Sequence, residues 1–158
     1  MERIVIGIDP GINHTGVAVL KGGVFQQGLL IERRFEDLAQ NAKAQTQAMI
    51  NTISSSWFTV CVIEMPRVYP KMTYAANDIV DLAFMAGSLV TAFYTCTEYV
   101  RTVYPSVWKG QTPKDIHNAR ILKRLPEMNH CLKSIPKSKR EHIIDAAGLA
   151  LWADGVKL

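Results

Sequence analysis

Residues 4–20, IVIGIDPGINHTGVAVL, constrain the fold more than any other part of the sequence. They begin with a β-branched apolar run, which is typical of a strand buried on both faces. Asp9 ends that run, Pro10 cannot continue a strand ladder, and Gly11 and Gly16 permit turn geometries closed to other residues. A second apolar strand returns at once. The stretch predicts a hairpin with a carboxylate at the carboxyl end of its first strand, where open α/β sheets bind ligands; a turn-capping role for Asp9 is the alternative.

The chain continues with a third strand over residues 24–31, which completes an antiparallel meander. Residues 35–55 have helical spacing of apolar side chains and predict a helix that crosses back over the sheet. Residues 59–64, TVCVIE, form another apolar strand that ends in an acid, Glu64. A strand that follows a crossover helix lies parallel to an earlier one. If it neighbours the first strand, Asp9 and Glu64 emerge side by side.

The second half of the chain predicts three helices and one strand. Residues 75–97 form a long apolar helix that must be buried nearly all round, in a large core or, as we favour for a small domain, in a homodimer. Residues 99–104 predict a fifth strand. Thr112 is expected to cap a helix ending at Leu125, and residues 127–137 are irregular in pattern. Ser138 and Glu141 form a capping-box pattern that predicts a last helix over residues 139–153.

Length and composition indicate one domain over residues 1–158, with a core drawn from 48% apolar residues. No signal peptide or membrane span is recognisable, so we expect a cytoplasmic protein of a bacterial or phage-infected cell. The three cysteines are far apart without a C-x-x-C pair, which argues against a disulfide framework and a structural zinc site.

Positive charge is concentrated in residues 109–140, which carry a net charge of +7. The whole chain carries +4, so the remaining residues together carry −3. Such a segment is typical of nucleic-acid binding, because neutralised phosphates release counterions; a solvated basic surface is the alternative. A basic and aromatic loop over residues 67–73 could stack on nucleic acid or be an ordinary surface loop. The candidate DNA-binding residues are Arg67, Tyr69, Lys71, Lys114, Lys133, Lys137, Lys139 and Arg140.

The last predicted helix carries His142 and Asp145 three residues apart, so the two side chains share a face. With Asp9 and Glu64 they offer three carboxylates and an imidazole. Oxygen-rich sites of this kind suit Mg²⁺ or Mn²⁺, and two such ions can activate a water and stabilise the leaving oxygen in phosphodiester cleavage. A lone helical histidine is more often structural, but Asp145 beside it favours a site.

Four segments, IGIDPGINHTGVAVL, VIEMP, YPSVWKGQTPK and HIIDAAGLA, together resemble the RuvC-type Holliday junction resolvases of the ribonuclease H-like superfamily, as a compact phage or viral relative. The resemblance implies an α/β fold with a five-stranded mixed sheet, three antiparallel strands and then two parallel ones, flanked by helices. It also implies a homodimer that makes paired, metal-dependent nicks in four-way DNA junctions, with no nucleotide cofactor.

By motif position the resemblance assigns the catalytic and metal-binding residues. Asp9 would bridge two metal ions, Glu64 and Asp145 would each hold one side, and His142 would ligate or orient the attacking water. Lys109 matches a basic residue near the scissile phosphate. A shifted registration would give Asp145 the earlier acid position and leave Gly148 at the later one, with the loss of a ligand.

Three other functions share some of these features. D-x-G followed by T-G also resembles the phosphate loop of actin-like and hexokinase-like ATPases, although that fold needs two such domains. A junction-binding protein without catalysis is the non-enzyme alternative. A nuclease acting on flaps or replication forks would use the same residues, and the sequence does not separate it from a junction resolvase.

Overall fold

A computed structural model describes residues 2–53, 58–68 and 76–156 of the chain. The described residues form five strands and six α-helices, with one 3₁₀ turn before the last helix. The strands are β1 (Ile4–Asp9), β2 (His14–Lys21), β3 (Val24–Glu32), β4 (Phe58–Glu64) and β5 (Thr97–Val103). The helices are α1 (Leu38–Ile53), α2 (Ala76–Phe93), α3 (Pro105–Trp108), α4 (Lys114–Arg124), α5 (Met128–Lys133) and α6 (Arg140–Ala153), and the 3₁₀ turn is Lys137–Lys139. Their order along the chain is β1-β2-β3-α1-β4-α2-β5-α3-α4-α5-α6.

The strands form one mixed sheet in the order β3-β2-β1-β4-β5. β1 pairs antiparallel with β2, and β2 with β3, as the meander requires. β4 returns parallel to β1, with Ile8 opposite Ile63, and β5 is parallel to β4. The predicted fold class, a five-stranded mixed sheet flanked by helices, is confirmed.

Alternating side chains divide the sheet into two faces. On the α6 face, Val5 and Ala18 pack with apolar residues of α4, α5 and α6. On the α1–α2 face, Ile6 and Ile8 pack with residues of α1 and α2 such as Met49. Both faces are apolar and covered, which explains why the central strands lack a polar alternation.

Glycines on the α6 face let the backbone of α6 lie directly on the strands. A Cβ built on Gly7 of β1 would lie 1.9 Å from the Ala146 carbonyl oxygen, and one on Gly16 of β2 would lie 2.0 Å from the His142 carbonyl oxygen. No side chain other than hydrogen fits either position. Backbone room explains Gly16 better than direct contact with a phosphate.

Several predicted helix boundaries are wrong by a few residues. α1 begins at Leu38 because Asp37 Oδ1 accepts the Gln40 N–H (2.8 Å), so Phe35 lies outside the helix and is exposed. α2 ends at Phe93 because the Thr97 hydroxyl binds the Phe93 carbonyl oxygen (2.8 Å), and β5 then begins at Thr97. The predicted end of α1 at residues 54–56 lies outside the described residues.

The predicted caps before α4 and α6 do not form. Pro113, not Thr112, occupies the N-cap position of α4, without a side-chain cap. Lys139, not Ser138, precedes α6, and Glu141 instead accepts a hydrogen bond from Lys114 Nζ (2.6 Å). The stretch predicted as irregular, residues 127–137, contains α5, because its apolar side chains reach the core beside β3.

α2 is only partly buried in the single chain, so the core of one copy does not bury this helix all round, and the favoured homodimer contact stays a prediction. Leu89 and Phe93 are in the core, whereas Val80 and Phe84 are 67% and 46% exposed. Within the described residues, no helix is both long and apolar enough to span a membrane.

Candidate functional site

Asp9 and Glu64 end neighbouring parallel strands at the same edge of the sheet. Asp9 is the last residue of β1 and Glu64 the last of β4, and the two strands are paired directly. Strand alternation points both side chains toward the α6 face, because Val5 and Val60 of the same strands pack on that side. The carboxyl ends of the two strands therefore supply two acids to one place.

α6 delivers the other two candidate ligands to the same place. His142 Nδ1 lies 3.0 Å from Asp9 Oδ2, at hydrogen-bond distance. Asp145, one turn later, is buried and accepts a hydrogen bond from Lys109 Nζ at 2.9 Å. The close approach of α6 to the sheet at Gly16 brings His142 near Asp9, since the His142 backbone touches β2 directly.

Lys109 completes the cluster from the residue after α3. Its Nζ pairs with Asp145 Oδ2 and lies 3.5 Å from Glu64 Oε2. All five residues that the sequence predicted for catalysis thus meet in one partly buried cluster. The five are Asp9, Glu64, Lys109, His142 and Asp145.

Burial and mutual repulsion disfavour negative charge on two of the acids. Burial raises the pKa of the Asp9 carboxyl, and the hydrogen bond with His142 offsets this only in part. Burial and the Asp9 charge raise the pKa of Glu64 to about 7. The cluster is therefore short of positive charge, which is the condition that a bound cation relieves.

The pKa values of the two basic members of the cluster are also raised, which for a base favours the charged form. The hydrogen bond with Asp9 outweighs burial and raises the pKa of His142. Burial lowers the pKa of Lys109, but the charges of Asp145 and Glu64 outweigh it and raise the pKa overall. Both shifts favour the positively charged form of these groups beside the acids.

The donor set fits a hard divalent cation. Three carboxylates and an imidazole are ligands that Mg²⁺ or Mn²⁺ accepts, and the buried Asp145 Oδ1 has no hydrogen-bond partner among the described residues. As they stand, no three or more acidic, histidine or cysteine side chains within residues 2–53, 58–68 and 76–156 are gathered closely enough to hold an ion. The Lys109 ammonium instead pairs with two of the carboxylates.

Several solved structures are similar in fold to this chain. RuvC of Thermus thermophilus in complex with a Holliday junction substrate has a TM-score of 0.66 and 18% identity, over 94% of this chain and 90% of that one. The chain has the ribonuclease H-like fold of RuvC. A second Thermus thermophilus RuvC structure gives a TM-score of 0.62 with 20% identity, over 94% and 91% of the two chains.

The yeast mitochondrial Holliday junction resolvase Ydc2 is also similar, with a TM-score of 0.59 and 11% identity, over 95% of this chain and 80% of that one. No protein-family model and no curated protein matches the sequence. The RuvC fold is therefore shared at low sequence identity, and these likenesses establish the fold alone.

The candidate DNA-binding residues lie at several positions around the RuvC fold. Lys114 and Lys139 form ion pairs with Glu141 and Glu32 next to the start of α6. Lys133 and Lys137 are exposed, and the Arg140 guanidinium binds the Ile135 carbonyl oxygen (2.8 Å). Arg67 is exposed and donates to the Ser106 hydroxyl (3.1 Å). Tyr69 and Lys71 lie outside the described residues.

Two residues at the site were given no role by the sequence. The Trp108 indole N–H donates to Glu64 Oε2 (2.7 Å). The His14 ring stacks on the His142 ring, with centroids 5.9 Å apart, and burial with the charge of Lys139 lowers the pKa of His14. The position of Trp108 in the W-K-G stretch could have indicated a role, since it directly precedes Lys109, which the sequence analysis assigned to the site.

The turn between β1 and β2 is fixed by polar side chains of α1. Buried Thr15 donates to Gln45 Oε1 (2.5 Å) and accepts the Gly11 N–H (3.1 Å). Asn41 Nδ2 donates to the Ile12 carbonyl oxygen (3.0 Å). These bonds hold the backbone that follows Asp9, so α1 stabilises the site from the opposite face of the sheet.

Proposed function

We propose that the chain is a divalent-metal-dependent endodeoxyribonuclease that resolves four-way DNA junctions by paired phosphodiester hydrolysis. The observation that carries the proposal is the meeting of Asp9, Glu64, Lys109, His142 and Asp145 at one edge of the sheet. The fold likeness to RuvC in complex with a Holliday junction substrate and to a mitochondrial junction resolvase supports the choice of substrate.

In the proposed mechanism the acids and the imidazole would hold two Mg²⁺ or Mn²⁺ ions, which would supply activation of water and stabilisation of the leaving oxygen. Asp9 would be the shared ligand, Glu64 and Asp145 would each serve one ion, and His142 would ligate an ion or orient the attacking water. Lys109, released from Asp145, offsets negative charge that develops on the scissile phosphate. The contacts of the Lys109 ammonium with Glu64 and Asp145 support a position of this group beside that phosphate.

We propose that the DNA approaches along the basic segment, residues 109–140. Lys139 immediately precedes α6 and pairs with Glu32 of β3. Lys114, the first residue of α4, pairs with Glu141 in the first turn of α6. These ion pairs would hold both lysines near the candidate metal site before DNA binds. Lys133 and Lys137 are exposed farther along and would contact the phosphate backbone.

We further propose that a second copy of the chain packs on α2, because two linked sites are needed for paired nicks. The exposed face of α2 carries an apolar or small side chain on each turn, Val80, Phe84, Gly87 and Thr91, and exposed Tyr94 follows the helix directly. Phe84→Glu is expected to convert a dimer into a monomer in light scattering, and Thr52→Glu on α1 is the matched exposed control. A wild-type monomer under junction-cleaving conditions would contradict this assembly.

The decisive experiment is cleavage of a synthetic four-way junction in Mg²⁺ by wild type, Asp9→Asn and Asp37→Asn. We expect Asp9→Asn to lose at least about 100-fold in rate, because it removes a charged ligand shared by both ions. Asp37→Asn is the control, since asparagine caps a helix as well as aspartate. Undiminished cutting by Asp9→Asn would overturn the site.

The same assay separates the alternative specificities when junction, flap, fork and linear duplex are compared. Preferred cutting of the junction supports a resolvase, and equal cutting of flaps or forks would show a nuclease of broader branched-DNA specificity. Junction binding without cleavage in both Mg²⁺ and Mn²⁺ would show a non-catalytic binding protein.

A further inference from the structure

Trp108 and Lys109 are consecutive residues that bind the same oxygen of Glu64. The Trp108 indole N–H donates to Glu64 Oε2 at 2.7 Å, and Lys109 Nζ lies 3.5 Å from that oxygen. Trp108 is the last residue of α3, a single turn shortly after β5, and Lys109 follows it. The W-K-G stretch therefore brings two donors to one carboxylate oxygen.

The Trp108 ring is locked between the elements that carry the site. It is only 5% exposed, and a Cβ on Gly148 of α6 would lie 2.6 Å from its Cζ3 atom. The His117 ring of α4 meets it edge-on, with centroids 5.1 Å apart. Because the ring rests on α6, the helix of His142 and Asp145, its N–H has a fixed direction toward Glu64.

A buried tryptophan needs some acceptor for its N–H, and a backbone carbonyl oxygen would satisfy a purely structural ring. Here the acceptor is the carboxyl side chain at the end of β4, 44 residues away in sequence. A metal ligand must be ionised, bonds to an ionised acceptor are shorter and stronger than neutral ones, and such partners of metal ligands fix the direction of ligation. The contact therefore restrains a carboxylate that could otherwise rotate at the end of its strand.

We propose that Trp108 is a positioning residue that holds the Glu64 carboxylate in the orientation in which it binds the divalent cation. The inference rests on the proposed function, since it deepens the assignment of Glu64 as a metal ligand. Trp108 itself touches neither the substrate nor the reacting atoms in this role.

The first test measures Mn²⁺ binding to wild type, Trp108→Phe and Trp152→Phe by titration without DNA. Trp108→Phe keeps a ring against Gly148 and removes the N–H, so we expect Mn²⁺ affinity to fall about 10- to 100-fold. Trp152 lies on α6 but stacks on Arg101 with its ring 4.4 Å from the guanidinium carbon, so Trp152→Phe should bind Mn²⁺ as wild type does. Junction cleavage should show a lower kcat for Trp108→Phe with KM for DNA unchanged.

The second test keeps Trp108 in place and compares wild type with Glu64→Gln, so it holds even where Trp108→Phe folds poorly. In ¹H–¹⁵N spectra the indole resonance of Trp108 should shift upfield in Glu64→Gln, and Mn²⁺ should broaden it more than the indole resonance of Trp152. Unchanged resonances in both measurements would overturn the positioning role.

The outcomes separate this inference from the proposed function. Equal Mn²⁺ affinity and kcat in wild type and Trp108→Phe would overturn the inference and leave the metal-dependent nuclease intact. Failure of wild type to bind Mn²⁺ at all would overturn both.

Discussion

The two faces of the sheet are built from different residues. On the α6 face, small residues such as Gly7 and Ala146 let the helix backbone touch the strands. On the α1–α2 face, large side chains such as Met49 and Phe93 fill the space between the helices and the sheet. Close backbone contact fixes the height and rotation of α6, whereas packing of long side chains tolerates adjustment. The face that must place His142 and Asp145 accurately is the one where small residues bring the backbone of α6 onto the strands.

The two faces also differ in charge. The basic segment, residues 109–140, contains α4 and α5, which pack beside α6. The helices of the opposite face contain a single basic residue, Lys43 on α1. Site, basic surface and close packing thus occur together on the α6 face.

The strongest test of this comparison adds a methyl group at one residue of β1 and removes a methyl group at the neighbouring residue. Gly7→Ala adds a methyl group where the Ala146 carbonyl oxygen is 1.9 Å away, so α6 must move, and we expect a loss of about 3 kcal/mol or more. Ile6→Val removes one on the α1–α2 face and should cost about 1 kcal/mol. Urea denaturation measures both, and equal losses would contradict the difference between the faces.

The patterns of the strands and of the last helix predicted most of the site residues on the α6 face. Contacts between residues far apart in sequence explain the features that were not predicted. Asp9 and Glu64 were predictable because each ends an apolar strand, and His142 with Asp145 because helical spacing places them together. The predicted capping box of Ser138 and Glu141 does not form, because Glu141 accepts a hydrogen bond from Lys114, 27 residues away in sequence. The partners of Trp108 and His14 likewise come from distant elements, so no local pattern could reveal them. Local propensity yields wherever a tertiary partner competes for the same group.

The acidic cluster should make the metal-free chain less stable as pH rises. Burial raises the pKa of Glu64 to about 7 from an ordinary value of 4.5, so the folded state binds this proton more tightly than the unfolded state. Its stability cost is absent below pH 4.5, grows as pH rises to about 7 and is complete above that. With a chelator present at pH 8, Glu64→Gln should stabilise the fold by about 2 to 3 kcal/mol.

Thermal unfolding across pH 5 to 8 measures this effect, with Glu98→Gln on β5 as the exposed control. The gain from Glu64→Gln should shrink toward pH 5, where wild-type Glu64 is protonated in the folded state. A gain that stays constant across this range would contradict the assigned cause.

On the α1–α2 face, the hydroxyl of Thr15 offers a smaller test. Thr15→Val keeps the shape of the side chain but removes the bonds to Gln45 and Gly11, so we expect a loss of about 1 to 2 kcal/mol. Junction cleavage at saturating metal should fall less than for Asp9→Asn, because every candidate ligand is intact. A cleavage loss as large as that of Asp9→Asn would show that α1 positions the site as strictly as α6 does.

The smallest expected effect concerns the charge difference between the faces. Lys133→Ala and Lys137→Ala should each weaken junction binding severalfold and reduce the slope of log affinity against log salt by about one, since each removes one phosphate contact. Lys43→Ala, an exposed lysine on the opposite face, should leave both the affinity and the slope unchanged. Because none of the three lysines pairs with a candidate ligand, Mn²⁺ binding without DNA should be the same in all variants. An unchanged salt slope for Lys133→Ala and Lys137→Ala would mean that DNA does not follow α5 and the 3₁₀ turn, and a reduced slope for Lys43→Ala would move the binding surface to the other side of the sheet.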